Sequence, residues 1–284
     1  MSIETFVPKV WSARILESLD KTLVYANLFN RNYEGEIAAY GDTVHINSVG
    51  DVTVKTYTKD TDIADPDTLT TTESLLVIDQ AKYFNIGIDD VDKAQARAEL
   101  LQTAAARVGY SYGDIIDQWL ASLLKAGTIV KDLGTDATPL QVTEANAYNY
   151  MVNMKTALDK ANVPTMGRGI VVPPEFEGYM LLDSRFASSS DASNERLVNG
   201  VVARAAGFDI YVSNNVPNTS GAKYKIIATT ADQGTFAQQV LETEAYRPQK
   251  RFGDAVKGLN VYGAKVLRPE TIAVATVNFG AAGA

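Results

Sequence analysis

The chain of 284 residues holds one histidine, His45, and no cysteine. That inventory removes disulfides, thiolate metal sites, iron–sulfur clusters and cysteine nucleophiles. It also removes any multi-histidine metal site, and a Ser-His-Asp triad unless His45 serves it. His45 sits inside an alternating apolar stretch, where a lone histidine is usually a structural or surface residue. No G-x-S-x-G, Walker or H-E-x-x-H pattern occurs,. Gly167-Arg168-Gly169 leads into a predicted strand, whereas a phosphate-cradling glycine loop should follow a strand and open a helix,. No nearby second acid supports glycoside chemistry. The residues predict no catalytic site, no cofactor and no resident metal.

Carboxylates and bases are the remaining chemistry. Asp60, Asp62, Asp65 and Asp67 crowd one short segment. Their oxygens suit calcium, but the turn glycine and distal bidentate glutamate of an EF-hand are missing, so a solvated loop tip is the simpler reading. Lys55 and Lys59 lie in the same arm. Asp89-Asp90-Val91-Asp92 fits a helix N-terminus by capping and by dipole interaction,. Asp114 and Asp117, three apart in mid-helix, are placed to meet basic groups of a neighbour. Tyr246–Asp254 concentrates Arg247, Lys250 and Arg251 with two aromatic residues, a composition enriched at interface hot spots,. The acidic segment of another copy would be a chemically suitable partner. A solvated β-turn explains the same residues, and both readings stay open.

The elements that position these groups follow from periodicity. Alternation at Val44, Ile46, Val52 and Val54, then at Leu75, Val77, Phe84, Ile86 and Ile88, predicts a strand–acidic loop–strand arm over about 34–88,. Such an arm is marginal alone, because it buries too little apolar area to offset its ordering entropy. Cover by another subunit would stabilise it. The arm runs into a long helix in which Val91, Ala94, Ala98, Leu101, Ala105, Val108, Tyr112, Ile115, Trp119 and Leu123 mark one stripe, ending near Gly127,. A first amphipathic helix is expected within 4–30 and another at 143–161,. Strands are expected at 169–172, 208–212, 224–228, 240–245, 259–267 and 272–279, with a short helix at 175–186, a polar loop at 188–194 and a flexible tail at 280–284.

Composition is ordinary for a globular protein, with 46% hydrophobic and 21% charged residues,. No apolar run approaches the ~20 residues that span a bilayer, so no membrane association is expected. Met1–Lys9 lacks the basic start and apolar centre of a signal peptide, which places synthesis in a cytoplasm,. The net charge of −8 argues against a nucleic-acid grip and suits a wall that must not stick to polyanions,.

Taken in order, these parts resemble the major capsid proteins of tailed bacteriophages, with the HK97-type fold, and look most like the P22 coat protein branch. Phe6-Val7-Pro8-Lys9-Val10-Trp11-Ser12 with Ile15-Leu16 resembles the family's opening, and Gly41-Asp42-Thr43-Val44-His45-Ile46 resembles the lead-in to its extended E-loop. Ile78–Phe84 before Asp89–Gln95 resembles the return of that loop into the spine helix. Gly207–Asn214 resembles an axial-domain strand, and Arg247–Gly263 the stretch running back into the peripheral domain. The resemblance implies an α+β fold with an N-terminal arm at 1–32, an E-loop at 33–88, a peripheral domain at 89–139 plus 233–279, and an axial domain at 140–232. It also implies self-assembly into hexamers and pentamers of an icosahedral shell around double-stranded DNA. A separate scaffolding protein, a portal, and a place in the virion after assembly in the host cytoplasm complete the expectation. Lysine–asparagine cross-linking, known in some members, finds no matching asparagine here and is not carried over. An encapsulin-like compartment shell and, further off, a β-rich surface-binding protein are the alternatives.

Overall fold

The computed structural model describes residues 23–34, 40–49, 53–60, 62, 65, 67–68, 70–89, 98–126, 131–183, 204–250 and 253–279. The expected helix start, the Asp90–Asp92 cap, the 188–194 loop and the 280–284 tail lie outside these. A 3-10 turn at Tyr25–Leu28 precedes β1 (Thr43–Val49), β2 (Thr71–Val77) and β3 (Gln80–Asp89). Helix α1 (Ala98–Ala126), strands β4 (Lys131–Leu133) and β5 (Leu140–Val142), and helix α2 (Ala147–Lys160) come next. Then follow β6 (Arg168–Val172), α3 (Pro174–Leu182), β7 (Arg204–Ala205), β8 (Phe208–Val212), β9 (Asn218–Thr219) and β10 (Lys223–Thr230). The long strands β11 (Gly234–Tyr246) and β12 (Gly253–Val266) and a final β13 (Ala273–Phe279) complete the order.

Three sheets result. The largest, eight-stranded, runs β4-β13-β10-β6-β8-β7, with β5 beside β13 and β9 beside β10. Its middle strands are buried on both faces, as β6 shows along its whole length,. Ile170, Val172, Ile226, Ala228 and Ala275 pack under α2 and α3 through Met151, Met154, Leu158, Phe176 and Met180. The opposite side contributes Val171, Ile227 and Val274 to a second core with α1. By hydrogen bonding, β4 and β13 belong to this sheet, although both were expected with the peripheral part.

The second core contains the segment around the 3-10 turn. Leu23, Tyr25, Ala26, Leu28 and Phe29 are all buried there beside α1. Asn30 forms a parallel bridge to Thr235, and the amide of Gln233 donates to the carbonyl of Leu28 at 2.9 Å. Residues 23–30 are therefore wedged between helix and sheets. Gly169 is the counterpart of that wedge, since a Cβ there would sit 2.2 Å from Leu28. The neighbouring Arg168 is 2% exposed and donates to the carbonyls of Pro164 and Val163 and to Asp159. It clamps the turn after α2.

Helix α1 is about 44 Å long at 1.5 Å per residue,. Its buried line runs through Ala105, Tyr112, Ile116, Leu120 and Leu124. Ile115, placed on the inward stripe by sequence, is 42% exposed. The reason is helical pitch: alternating steps of three and four describe a 3.5 repeat, whereas a straight helix turns every 3.6 residues and drifts ~20° per heptad. By the second half of α1 the inward line has moved on by one residue.

That drift carries Asp117 indoors. It is 1% exposed, not a surface partner for a neighbour's bases. Its Oδ1 accepts the backbone N–H groups of Val24 at 3.0 Å and Tyr25 at 2.7 Å, at the start of the 3-10 turn. Burial pushes the carboxyl up to about 6, against the pull of the Tyr25 and Val24 N–H groups and the Asn215 amide, with Asp114 adding to the rise. A carboxyl whose folded pKa is raised favours the native state most below its ordinary pKa, and that contribution is lost as pH rises through about 6. Asp117→Asn keeps the Oδ1 acceptor and removes the buried charge. The thermal midpoint of the variant relative to wild type is therefore expected to be higher at pH 7.5 than at pH 4, measured by circular dichroism at both. An offset equal at the two pH values would contradict this assignment.

Candidate assembly interface

The arm starts from a two-stranded hairpin. β1 and β2 pair antiparallel from Thr43↔Val77 to Val49↔Thr71. Val44, Ile46, Leu76 and Ile78 form its buried side, packed on Ala237 and Val261. Sequence alternation had placed Leu75 and Val77 inward, but they are 44% and 42% exposed. The run Leu75–Ile78 is apolar in both parities, so only the pairing of Val44 with Leu76 fixes which side is buried,. Val54, expected to extend the first strand, is 92% exposed in an unpaired stretch. His45 is exposed and its Nδ1 contacts Glu73 Oε1 across the hairpin.

Beyond the hairpin the chain is exposed at every described position. Lys59 and Asp60 form a turn in which Asp60 has a φ of 62°, and Asp62, Asp65 and Asp67 lie on the returning side. Lys55 Nζ reaches Asp67 Oδ1 at 2.8 Å, joining the two sides of the arm. Both side chains are about half exposed, so the pair contributes little stability,. It leaves Asp60, Asp62 and Asp65 as the outward acids.

The basic residues occupy the other end of the molecule. β12 pairs with β3 from Gly253↔Asp89 to Tyr262↔Gln80 and with β11 from Tyr246↔Ala255 to Gly234↔Val266. The turn between β11 and β12 carries Arg247 and Lys250, both exposed; Arg251 lies outside the described residues. The hairpin heads the opposite way, because Asn47, Ser48 and Ser74 line a groove with Gly234, Leu267 and Arg268. Fourteen residues of β12 at about 3.3 Å each put roughly 45 Å between the two ends of this sheet,. Acidic tip and basic turn are not brought together within one chain.

Sequence reasoning missed what lies between them. On the face of the three-stranded sheet that also carries the hairpin, Tyr83 is 80% exposed at the rim of a groove of about 370 Å³ lined also by Phe84, Asn85, Glu244, Lys257 and Leu259. Lys257 Nζ bonds Glu244 at 2.8 Å and stands 5.3 Å from the centre of the Tyr246 ring. The Tyr246 hydroxyl accepts from the Asn85 amide at 2.7 Å. Tyr83 falls opposite Leu259 in register, and that pairing, invisible locally, is what makes the tyrosine an outward residue. Among the described residues no helix is long and apolar enough to cross a membrane.

Residues 71–275 match the model of a family described as phage capsid protein. The chain belongs to that family. A solved structure from Mycobacterium phage Che8 is 29% identical, with a TM-score of 0.71 over 89% of this chain and 90% of that one. The capsid structure of cyanophage P-SCSP1u is 14% identical, at a TM-score of 0.66 over 91% and 89% of the two chains. A virus-like particle from Pyrococcus furiosus is 13% identical, at 0.58 over 93% and 96%. No curated protein matches the chain. The fold is the HK97-like capsid fold expected from the sequence, and this phage capsid protein is a structural component of the virion.

Proposed function

We propose that this capsid protein is the major shell subunit of a tailed-phage head, closing as hexamers and pentamers into an icosahedral shell around double-stranded DNA. The observation that carries the proposal is polarity. An acidic E-loop tip (Asp60, Asp62, Asp65, Asp67, with Lys55 and Lys59) and a basic turn (Arg247, Lys250) stand at opposite ends of one chain. Complementary patches at opposite poles specify a head-to-tail contact, which closes into a ring when the rotation per subunit divides the circle. Each contact is modest, and many together make a durable shell through multivalency. The peripheral domain is then α1, β3, β11 and β12; the axial domain is the eight-stranded sheet with α2 and α3. A separate scaffolding protein and a portal complete the assembly, and the acidic subunit encloses DNA without reading its sequence. The placement near the P22 coat protein rests on the quoted sequence segments alone. An encapsulin-like compartment is the second reading, favoured by the likeness to the Pyrococcus furiosus particle.

Sedimentation velocity of the purified chain, alone and with its scaffold, tests the function. Rings or closed particles are expected. A species that stays monomeric at high concentration with scaffold would overturn it.

A further inference from the structure

Helix α1 and the three-stranded sheet meet at two aromatic contacts with a polar stretch between them. At one end Phe84 lies edge-on to Tyr112, ring centres 6.0 Å apart, and the Tyr112 hydroxyl reaches the carbonyls of Lys82 and Gly258 at 3.3 Å each. At the other end Trp119 stands edge-on to Tyr262 at 5.2 Å. Side chains alternate along a strand, so Asn260 shares the helix-facing side of β12 with Tyr262,. Cross-strand pairing puts Gln238, opposite Tyr262, and Thr243, opposite Gly258, on the same side. Asn260 is fully buried, and Tyr262 and Gln238 are nearly so. Both amide atoms of Asn260, Gln238 Oε1, the Tyr262 hydroxyl and Thr243 Oγ1 have no hydrogen-bond partner among the described residues. Buried polar groups are almost always paired, and where protein supplies no partner, water does. We propose that ordered water fills this seam beneath α1, bridging Asn260 to Gln238 and Tyr262, with Thr243 at its far end.

The backbone makes the room. The pairing of β11 with β12 shifts register between Val240 and Glu242, opposite Asn260 and Leu259, so β11 carries one extra residue there. A bulge bends its strand, which opens a gap between a curving sheet and a straight helix. The Cα atoms of Asn260 and Tyr262 are about 7 Å apart along the strand, a spacing that suits a water bridge better than a direct bond. Entry is from the β3 edge, where Gln80 and Lys82 lie opposite Tyr262 and Asn260 and Lys82 is exposed. Burial and the charge of Asp79 raise the Tyr262 hydroxyl, which therefore stays protonated and able to donate through the neutral range,. The groups are neutral and mix N–H with oxygen, which selects water over a metal ion. At about three hydrogen bonds per water, roughly two waters satisfy the seam.

A crystal structure of the subunit, or a map of the shell, at a resolution that shows ordered solvent is the direct test. Peaks are expected within hydrogen-bond distance of the Asn260 amide and of Gln238 or Tyr262. A dry seam, with the Asn260 amide bonded straight to protein, would overturn the inference, and so would a metal ion in that place. In solution, magnetic relaxation dispersion of the water oxygen counts long-lived internal waters in the soluble subunit. Asn260→Leu fills a similar volume with no polar side-chain atom, so its dispersion amplitude should fall below that of the wild type. Equal amplitudes from two folded subunits, checked by circular dichroism, would contradict the site. Gln238→Met keeps the length of the side chain and removes its acceptor, and should lower the amplitude in the same direction. It carries the test if Asn260→Leu does not fold, and an unchanged amplitude there would count equally against the water.

Discussion

Reversing Arg247 and Lys250 to glutamate stops shell closure while the subunit stays folded. Both side chains are exposed on the turn between β11 and β12, so the change removes no core contact. On the proposed head-to-tail contact it sets two new negative charges against Asp60, Asp62 and Asp65 of the neighbour. At an effective dielectric near 20, like charges about 6 Å apart repel by roughly 3 kcal/mol before screening. Salt reduces this at the interface rim, where the Debye length is about 8 Å. Even ~1 kcal/mol per contact becomes decisive when a subunit must satisfy several contacts at once. The compensating change, Asp60→Lys with Asp62→Lys in the same chain, should restore particles because the contact joins identical copies head to tail. Light scattering during assembly reads both results. Rescue failing in subunits of unchanged melting temperature would place the basic turn elsewhere in the shell.

Truncating Phe236 to alanine should have the largest effect on the subunit itself. Phe236 is fully buried where the 23–30 wedge, α1 and β11 meet. Its backbone N–H donates to the Asn30 carbonyl at 2.9 Å, and Arg31 lies over its ring at 6.0 Å. Removing the ring leaves a cavity that neither a helix nor a sheet can collapse to fill. The cost is about 3–5 kcal/mol, which lowers the melting temperature by about 10 °C in a chain of this size. The three-stranded and eight-stranded sheets share a core at this point, so the variant should also assemble poorly at temperatures the wild type tolerates. Calorimetry checks the first effect. A drop below about 1 kcal/mol would mean that the wedge is not what ties the two parts together.

The architecture was legible wherever one element's own pattern decides it. Val44 and Ile46 in the hairpin, the continuous apolar run of β6, and the strand Phe208–Val212 stand where the sequence puts them. Pairing across long separations was not legible. Nothing local tells that β13 joins β10, that Leu76 rather than Leu75 faces inward, or that Tyr83 stands bare. Asp117 was misread for a related reason, since a 3.5-residue template leaves it beside the stripe and true helical pitch brings it under,. The charged ends of the interface stood out by composition. The groove between them exists only once β3 lies against β12.

Cryo-electron microscopy of the assembled particles tests the central claim most directly. The account predicts closed icosahedral shells in which each E-loop tip overlies the β11–β12 turn of the next subunit around the ring. Shells in which that turn faces solvent, or contacts its own symmetry mate and not an E-loop, would contradict it.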